Sequence, residues 1–97
     1  MSEGYEPRPF AVLSKDFTGT SSGNGNLALP LMYDEGVPLA VKLYSEGNGN
    51  CYTIIGRWNT AALGNWGCKA IMETSPNGVP QVLSNGNFEA TLYYFPL

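Results

Sequence analysis

The chain has no histidine, only two cysteines and few charges: Lys, Arg, Asp and Glu make up 13% of its 97 residues, about half the share usual in soluble domains. Without histidine, the Ser-His and Cys-His routes to an activated nucleophile are closed. Two cysteines and no imidazole fall short of the ligand set of a zinc site, so no metal is expected. The five basic residues, Arg8, Lys15, Lys42, Arg57 and Lys69, form no run in a chain of net charge −3. A phosphate backbone needs a basic patch, so nucleic acid is set aside as a partner. No apolar run reaches 18 residues, which excludes a membrane-spanning helix. The start, Met-Ser-Glu-Gly-Tyr-Glu-Pro, lacks the basic and apolar regions of a signal peptide. None of the nine Asn sits in an Asn-x-Ser/Thr acceptor, in keeping with a product made outside a glycosylating pathway.

What remains is hydrophobic, aromatic and rich in turn formers. Hydrophobic residues reach 43% and aromatics 12%, which argues for a packed fold despite 12 Gly and 7 Pro. No window of a dozen residues escapes Gly, Pro or a β-branched run, so long helices are excluded. Asn-Gly occurs four times, at Asn24, Asn48, Asn77 and Asn85, and Gly-Asn-Gly-Asn occurs twice, at residues 23–26 and 47–50. Each is a tight-turn signal, because Asn and Gly accept left-handed backbone angles. No Gly-Lys-Ser/Thr leads from these turns into a helix, so they are not phosphate loops and no cofactor is expected. The reading is an all-β, single-domain antiparallel β-sandwich, jelly-roll-like, of seven to eight short strands at a spacing near ten residues.

In chain order, residues 1–9 form a lead-in or attachment arm, residues 10–13 a short first strand, and residues 18–26 a loop of small polar side chains. Residues 27–33 (Leu-Ala-Leu-Pro-Leu-Met-Tyr) put Leu27, Leu29, Leu31 and Tyr33 on one face. Pro30 makes this strand an edge or gives it a bulge. Residues 37–44 put Val37, Leu39, Val41 and Leu43 together on one face. Both strands are apolar on both sides, so a second copy of the chain is expected to cover one side, through Leu29, Leu31, Leu39, Val41 and Leu43. Residues 51–74 read as a hairpin closed by Trp58 opposite Trp66. That register puts Cys51 opposite Glu73 and Cys68 opposite Gly56, roughly four residues apart along the ladder and beyond disulfide reach. Both cysteines are therefore expected as buried free thiols. Short strands at residues 81–83 and 88–95 complete the set.

Four acids, Asp34, Glu35, Glu73 and Glu89, read as solvated turn or strand positions rather than a catalytic pair, so no enzymatic role is expected. Most aromatics are expected to fill the space between sheets. The exceptions are Trp58 and Trp66 at the hairpin mouth which, with Tyr44 and Asn59, are the candidate ligand contacts of a monomeric carbohydrate-binding module.

The order of segments resembles a known group. A Ser/Gly/Asn loop (Thr20-Ser21-Ser22-Gly23-Asn24-Gly25-Asn26) precedes a Leu29-Pro30 strand. Then come Gly36-Val37-Pro38-Leu39-Ala40-Val41, a Trp-bearing middle, and an Asn-Gly-Asn turn with an aromatic last strand at residues 85–95. Over roughly residues 18–97 this pattern is similar to the carboxy-terminal knob domains of bacteriophage tail fibres and related virion fibre or decoration proteins. The resemblance implies a non-enzymatic virion protein: a homotrimeric sandwich that binds host surface glycans or proteins, or other virion proteins, or caps a fibre. It carries over no fixed binding residues. With no fibrous segment upstream of the domain, a free-standing decoration protein or a separate fragment is also expected. A third reading, from acidity and the lack of a signal peptide, is a small intracellular inhibitor of a host protein. On this reading Leu39 and Val41 share a face, so Leu39→Asp and Val41→Asp should both block folding or assembly, as light scattering and thermal unfolding would register.

Overall fold

The computed structural model describes residues 11–60, 64–72 and 81–97. The arm at residues 1–9, Phe10, Glu73 and Thr74 of the hairpin arm, and the Asn77-Gly78 turn lie outside the described residues. The rest is antiparallel β throughout, as the composition predicts. Nine strands form among the described residues: β1 (Leu13–Ser22), β2 (Asn26–Met32), β3 (Gly36–Ser45), β4 (Cys51–Ile54), β5 (Trp58–Thr60), β6 (Asn65–Lys69), β7 (Ile71–Met72), β8 (Gln81–Val82) and β9 (Asn85–Pro96). They make a four-stranded sheet ordered β1-β9-β3-β4, a three-stranded sheet ordered β2-β6-β5, and a two-residue ladder of β7 with β8. Several strands are longer than expected, β9 running 12 residues and β1 and β3 ten each.

The core lies between the two larger sheets and follows period-2 alternation. From one sheet come Leu27, Leu29, Leu31 and Cys68; from the other come Val41, Leu43, Tyr52, Ile54, Phe88, Ala90, Leu92 and Tyr94. Each large side chain so enclosed contributes roughly 1.5–3 kcal/mol relative to exposure. Leu29, Leu31, Val41 and Leu43 are all at most 3% exposed within one chain. This corrects the expectation that they contact a second copy: the opposite sheet already covers them.

Strand β3 departs from its apparent alternation for a physical reason. Pro38 has no N–H for the ladder, and the register slips between Pro38, opposite Tyr94, and Ala40, opposite Tyr93. The extra residue at this bulge is Leu39. Inward positions are therefore Pro38, Val41 and Leu43, while Val37 and Leu39 turn outward. Pro30 acts in a similar way in β2, an edge strand whose register shifts between Ala28 and Met32. Side chains take up the carbonyls there: Asn65 Nδ2 donates to the Leu29 carbonyl at 3.2 Å and Lys15 Nζ to the Pro30 carbonyl at 3.1 Å. An edge or a bulge was predicted at Pro30, and both are present.

Two expected features change. Residues 18–22, read as loop, continue β1, with Thr18 opposite Glu89 and Ser22 opposite Asn85. Threonine favours the pleated state, and Gly19 makes room for a ring: a methyl on it would meet Phe88 Cζ at 2.7 Å. Phe17 packs edge-on to the same ring, with centroids 6.0 Å apart. The loop contracts to residues 23–25. There the repeated tetrapeptide gives one turn twice: Asn24 Oδ1 accepts from the Asn26 N–H and Asn48 Oδ1 from the Asn50 N–H, both at 2.9 Å. The glycine between them takes φ +82° at Gly25 and +73° at Gly49, values that side-chain-bearing residues avoid.

The long hairpin is the second change. β4 pairs with β3, whereas β5 pairs with β6 in the other sheet, so the run at residues 51–60 crosses between sheets. Trp58 lies opposite Cys68, and Trp66 opposite Thr60. The sequence register is thus off by two.

The bulge separates two neighbours that look alike in sequence. Val41→Asp places a charge among core side chains and should cost several kcal/mol. Leu39→Asp, on the outer face of the single chain, should cost clearly less than Val41→Asp. Urea-melt midpoints compare them; equal losses would remove the bulge.

Candidate functional site

Because strands in register align side chains in transverse rows, the outer face of the four-stranded sheet can be read from the pairing alone. One row runs Asp16–Thr91–Lys42–Thr53 across β1, β9, β3 and β4. Two residues along the strands, a second row runs Thr18–Glu89–Tyr44–Cys51. Between them Phe17, Ala90, Leu43 and Tyr52 turn inward, and their backbone forms the floor. These twelve residues line a shallow trough of about 710 Å³. It spans the sheet for about 14 Å, with walls about 7 Å apart, from strand and residue spacings.

The walls carry polar groups on side chains whose stems and ring are largely apolar, and those polar groups are only partly committed. Thr91 Oγ1 donates to Asp16 Oδ1 at 2.8 Å, which orients that carboxylate. The ion pair formed among the described residues is elsewhere, Lys15 with Glu35 at 3.7 Å. Lys42 and Glu89 therefore keep their hydrogen-bonding capacity for a ligand. Tyr44 is exposed on the second row, beside Cys51.

The same face changes character towards the other end of the sheet. Tyr93 pairs with Ala40, and Phe95 with Val37. Val12 and Ile55 extend these rows, one residue beyond Leu13 on β1 and Ile54 on β4, and Leu39 stands out at the bulge. Exposure is 43% for Val37, 37% for Leu39, 47% for Val12 and 65% for Ile55. An apolar end thus adjoins a polar trough.

The four predicted ligand contacts are not brought together. Trp58 lies opposite buried Cys68, and Trp66 is two residues from it on the same strand, so both indoles face the interior and pack partly buried against the core. Trp66 Nε1 donates to the Gly36 carbonyl at 3.0 Å, and Tyr33 stands edge-on to its ring at 5.0 Å. The Trp66 indole thereby joins β6 to the start of β3, and both indoles contribute packing to the core. Asn59 is exposed on the outer face of the three-stranded sheet, in a row with Gly67 and Ala28, on the opposite side of the sandwich from Tyr44. Tyr44 alone lies in the trough. Sequence reading missed its neighbours Asp16, Thr18, Thr53, Glu89 and Thr91. The one available signal was the polar alternation of residues 14–20 and 87–91, and the pairing that unites the two segments is non-local.

Both cysteines are free. Cys68 is buried, and burial pushes its thiol up to about 12 because desolvation penalises the thiolate. Cys51 is exposed in the trough wall, which corrects the expectation of two buried thiols: its strand turns Tyr52 and Ile54 inward and Cys51 outward. The carboxylates Asp34 and Glu89 are exposed, and Glu35 Oε1 accepts from the Met32 N–H at 2.8 Å while its partner oxygen faces Lys15.

No protein-family model matches the chain, and no curated protein or solved structure does. The class is given by the fold itself, an antiparallel β-sandwich.

The two thiols should differ sharply towards Ellman's reagent, which reacts with thiolate. At pH 8 the native protein should release about one equivalent promptly, from Cys51, and the second only in denaturant. Prompt release of two equivalents from folded protein would contradict the burial of Cys68.

Proposed function

We propose that the chain is a non-enzymatic virion-type module, a fibre tip, receptor-binding knob or decoration protein, that works by surface contact as a homotrimer in the virion. The pattern resemblance supports this reading. The observation that carries it is the apolar end of the outer sheet face: Val12, Val37, Leu39 and Ile55 stand exposed together beside Tyr93 and Phe95. Contiguous apolar surface of this kind marks contact sites on soluble proteins.

The contact surface differs from the one read in sequence. Leu39 keeps its place in it, Val37, Ile55 and Val12 join, and Leu29, Leu31, Val41 and Leu43 belong to the core. In this arrangement the bulge serves assembly, since it turns two large aliphatic side chains out of a strand that would otherwise bury them. Partners are further copies, other virion proteins, or a host surface molecule.

Multi-angle light scattering at micromolar concentration should give three times the 10.5 kDa chain mass. The Val37→Lys/Ile55→Lys double variant should run as a folded monomer, its urea midpoint lowered only by what assembly contributes to the wild type. A wild-type protein that stays at 10.5 kDa would overturn the proposal.

A further inference from the structure

We infer that the trough on the outer face of the four-stranded sheet is a binding site for a neutral, polyhydroxylated chain, a short oligosaccharide lying across the strands. The inference shares with the proposed function the use of this sheet face as a contact surface, but not the oligomeric state.

The side-chain chemistry selects the ligand class. Two carboxylates, Asp16 and Glu89, accept hydrogen bonds from hydroxyl groups, and the Lys42 ammonium donates to hydroxyl or ring oxygens. The Thr18, Thr53 and Thr91 hydroxyls do both. Tyr44 adds an exposed ring whose apolar face suits the C–H face of a sugar. Thr91 already holds Asp16 in place at 2.8 Å, so part of the ordering cost is met before binding.

Other ligand classes fit less well. With two carboxylates to one ammonium, the walls repel phosphates and polyanions. A peptide strand adds along a sheet edge, here β1 or β4, rather than across the face that the trough occupies. The trough is open to solvent, about 14 Å long and only about 7 Å between walls. That shape takes an extended polar chain rather than an enclosed small metabolite. Its floor is flat because the intervening row points inward to the core.

The test is a proton–nitrogen NMR titration of the full chain with cellotriose, maltotriose and chitotriose, and with a heparin-derived oligosaccharide as the anionic control. At least one neutral trisaccharide should give saturable shifts confined to residues 16–18, 42–44, 51–53 and 89–91. Tyr44→Ala should weaken that binding at least tenfold, about 1.4 kcal/mol, and Glu89→Gln severalfold, with both variants folded by their spectra. No saturable shift with any of the three sugars, shifts outside those residues, or binding of the anionic control alone would overturn the inference. The same titration on Val37→Lys/Ile55→Lys separates the two proposals. Retained sugar binding there leaves the trough standing whatever the mass by light scattering, and a trimer that binds none of the sugars leaves only the assembly reading.

Discussion

The structure depends on the last strand being hydrogen-bonded on both sides. β9 pairs with β1 over ten positions and with β3 over nine, so the end of the chain occupies the interior of a sheet begun by its start. One side of β9 supplies Phe88, Ala90, Leu92 and Tyr94 to the core, and the other supplies Glu89 and Thr91 to the trough and Tyr93 and Phe95 to the apolar end. A central strand of this kind cannot take its place until the chain closes loops of about 40 residues to β3 and about 60 to β1, a cost that long-range β pairing meets before contacts reward it. Tolerance to change in β9 should therefore be low on both faces, for different reasons.

Two prolines interrupt the ladders of this arrangement, Pro30 in the edge strand β2 and Pro38 in the interior strand β3. Each removes a ladder donor, and each is accompanied by a register slip. At Pro30 the consequence is local, since Asn65 and Lys15 take up the neighbouring carbonyls. Lys15 does more than that. It lies on the inward side of the β1 edge, near Glu35 and 5.4 Å from the Tyr94 ring centroid. A charge turned inward at an edge strand discourages edge-to-edge pairing with another chain. At Pro38 the consequence reaches the surface, because the slip reverses the faces of Val37 and Leu39 relative to Val41 and Leu43.

One sheet face therefore carries two kinds of surface, polar and apolar, built on the same four strands. The opposite sheet turns its aromatics inward, and Trp58 and Trp66 serve packing. On the proposed reading, recognition falls to a polar row pattern rather than to tryptophan, and assembly to aliphatics released by the bulge. Neither surface needs the buried thiol of Cys68, whose chemistry is suppressed by the core around it.

Much of the architecture is legible in the sequence because the signals are local. Alternation in residues 27–31 marks the inner face of β2, the Asn-Gly dipeptides at residues 24, 48 and 85 mark turns, and Pro30 announces an edge with a bulge, since each depends only on neighbouring backbone angles. Strand partners are another matter. That residues 18–22 pair with residues 85–89, that residues 51–54 and 58–60 part into different sheets, and that the slip at Pro38 turns Leu39 outward are set by hydrogen bonds between distant segments. The trough belongs wholly to that second group: Asp16, Lys42, Thr53 and Thr91 share a row only because four strands align in one register. Local chemistry determined the β character and the turns, and tertiary pairing decided which side chains meet water, because a one-residue shift in register exchanges the two faces of a strand.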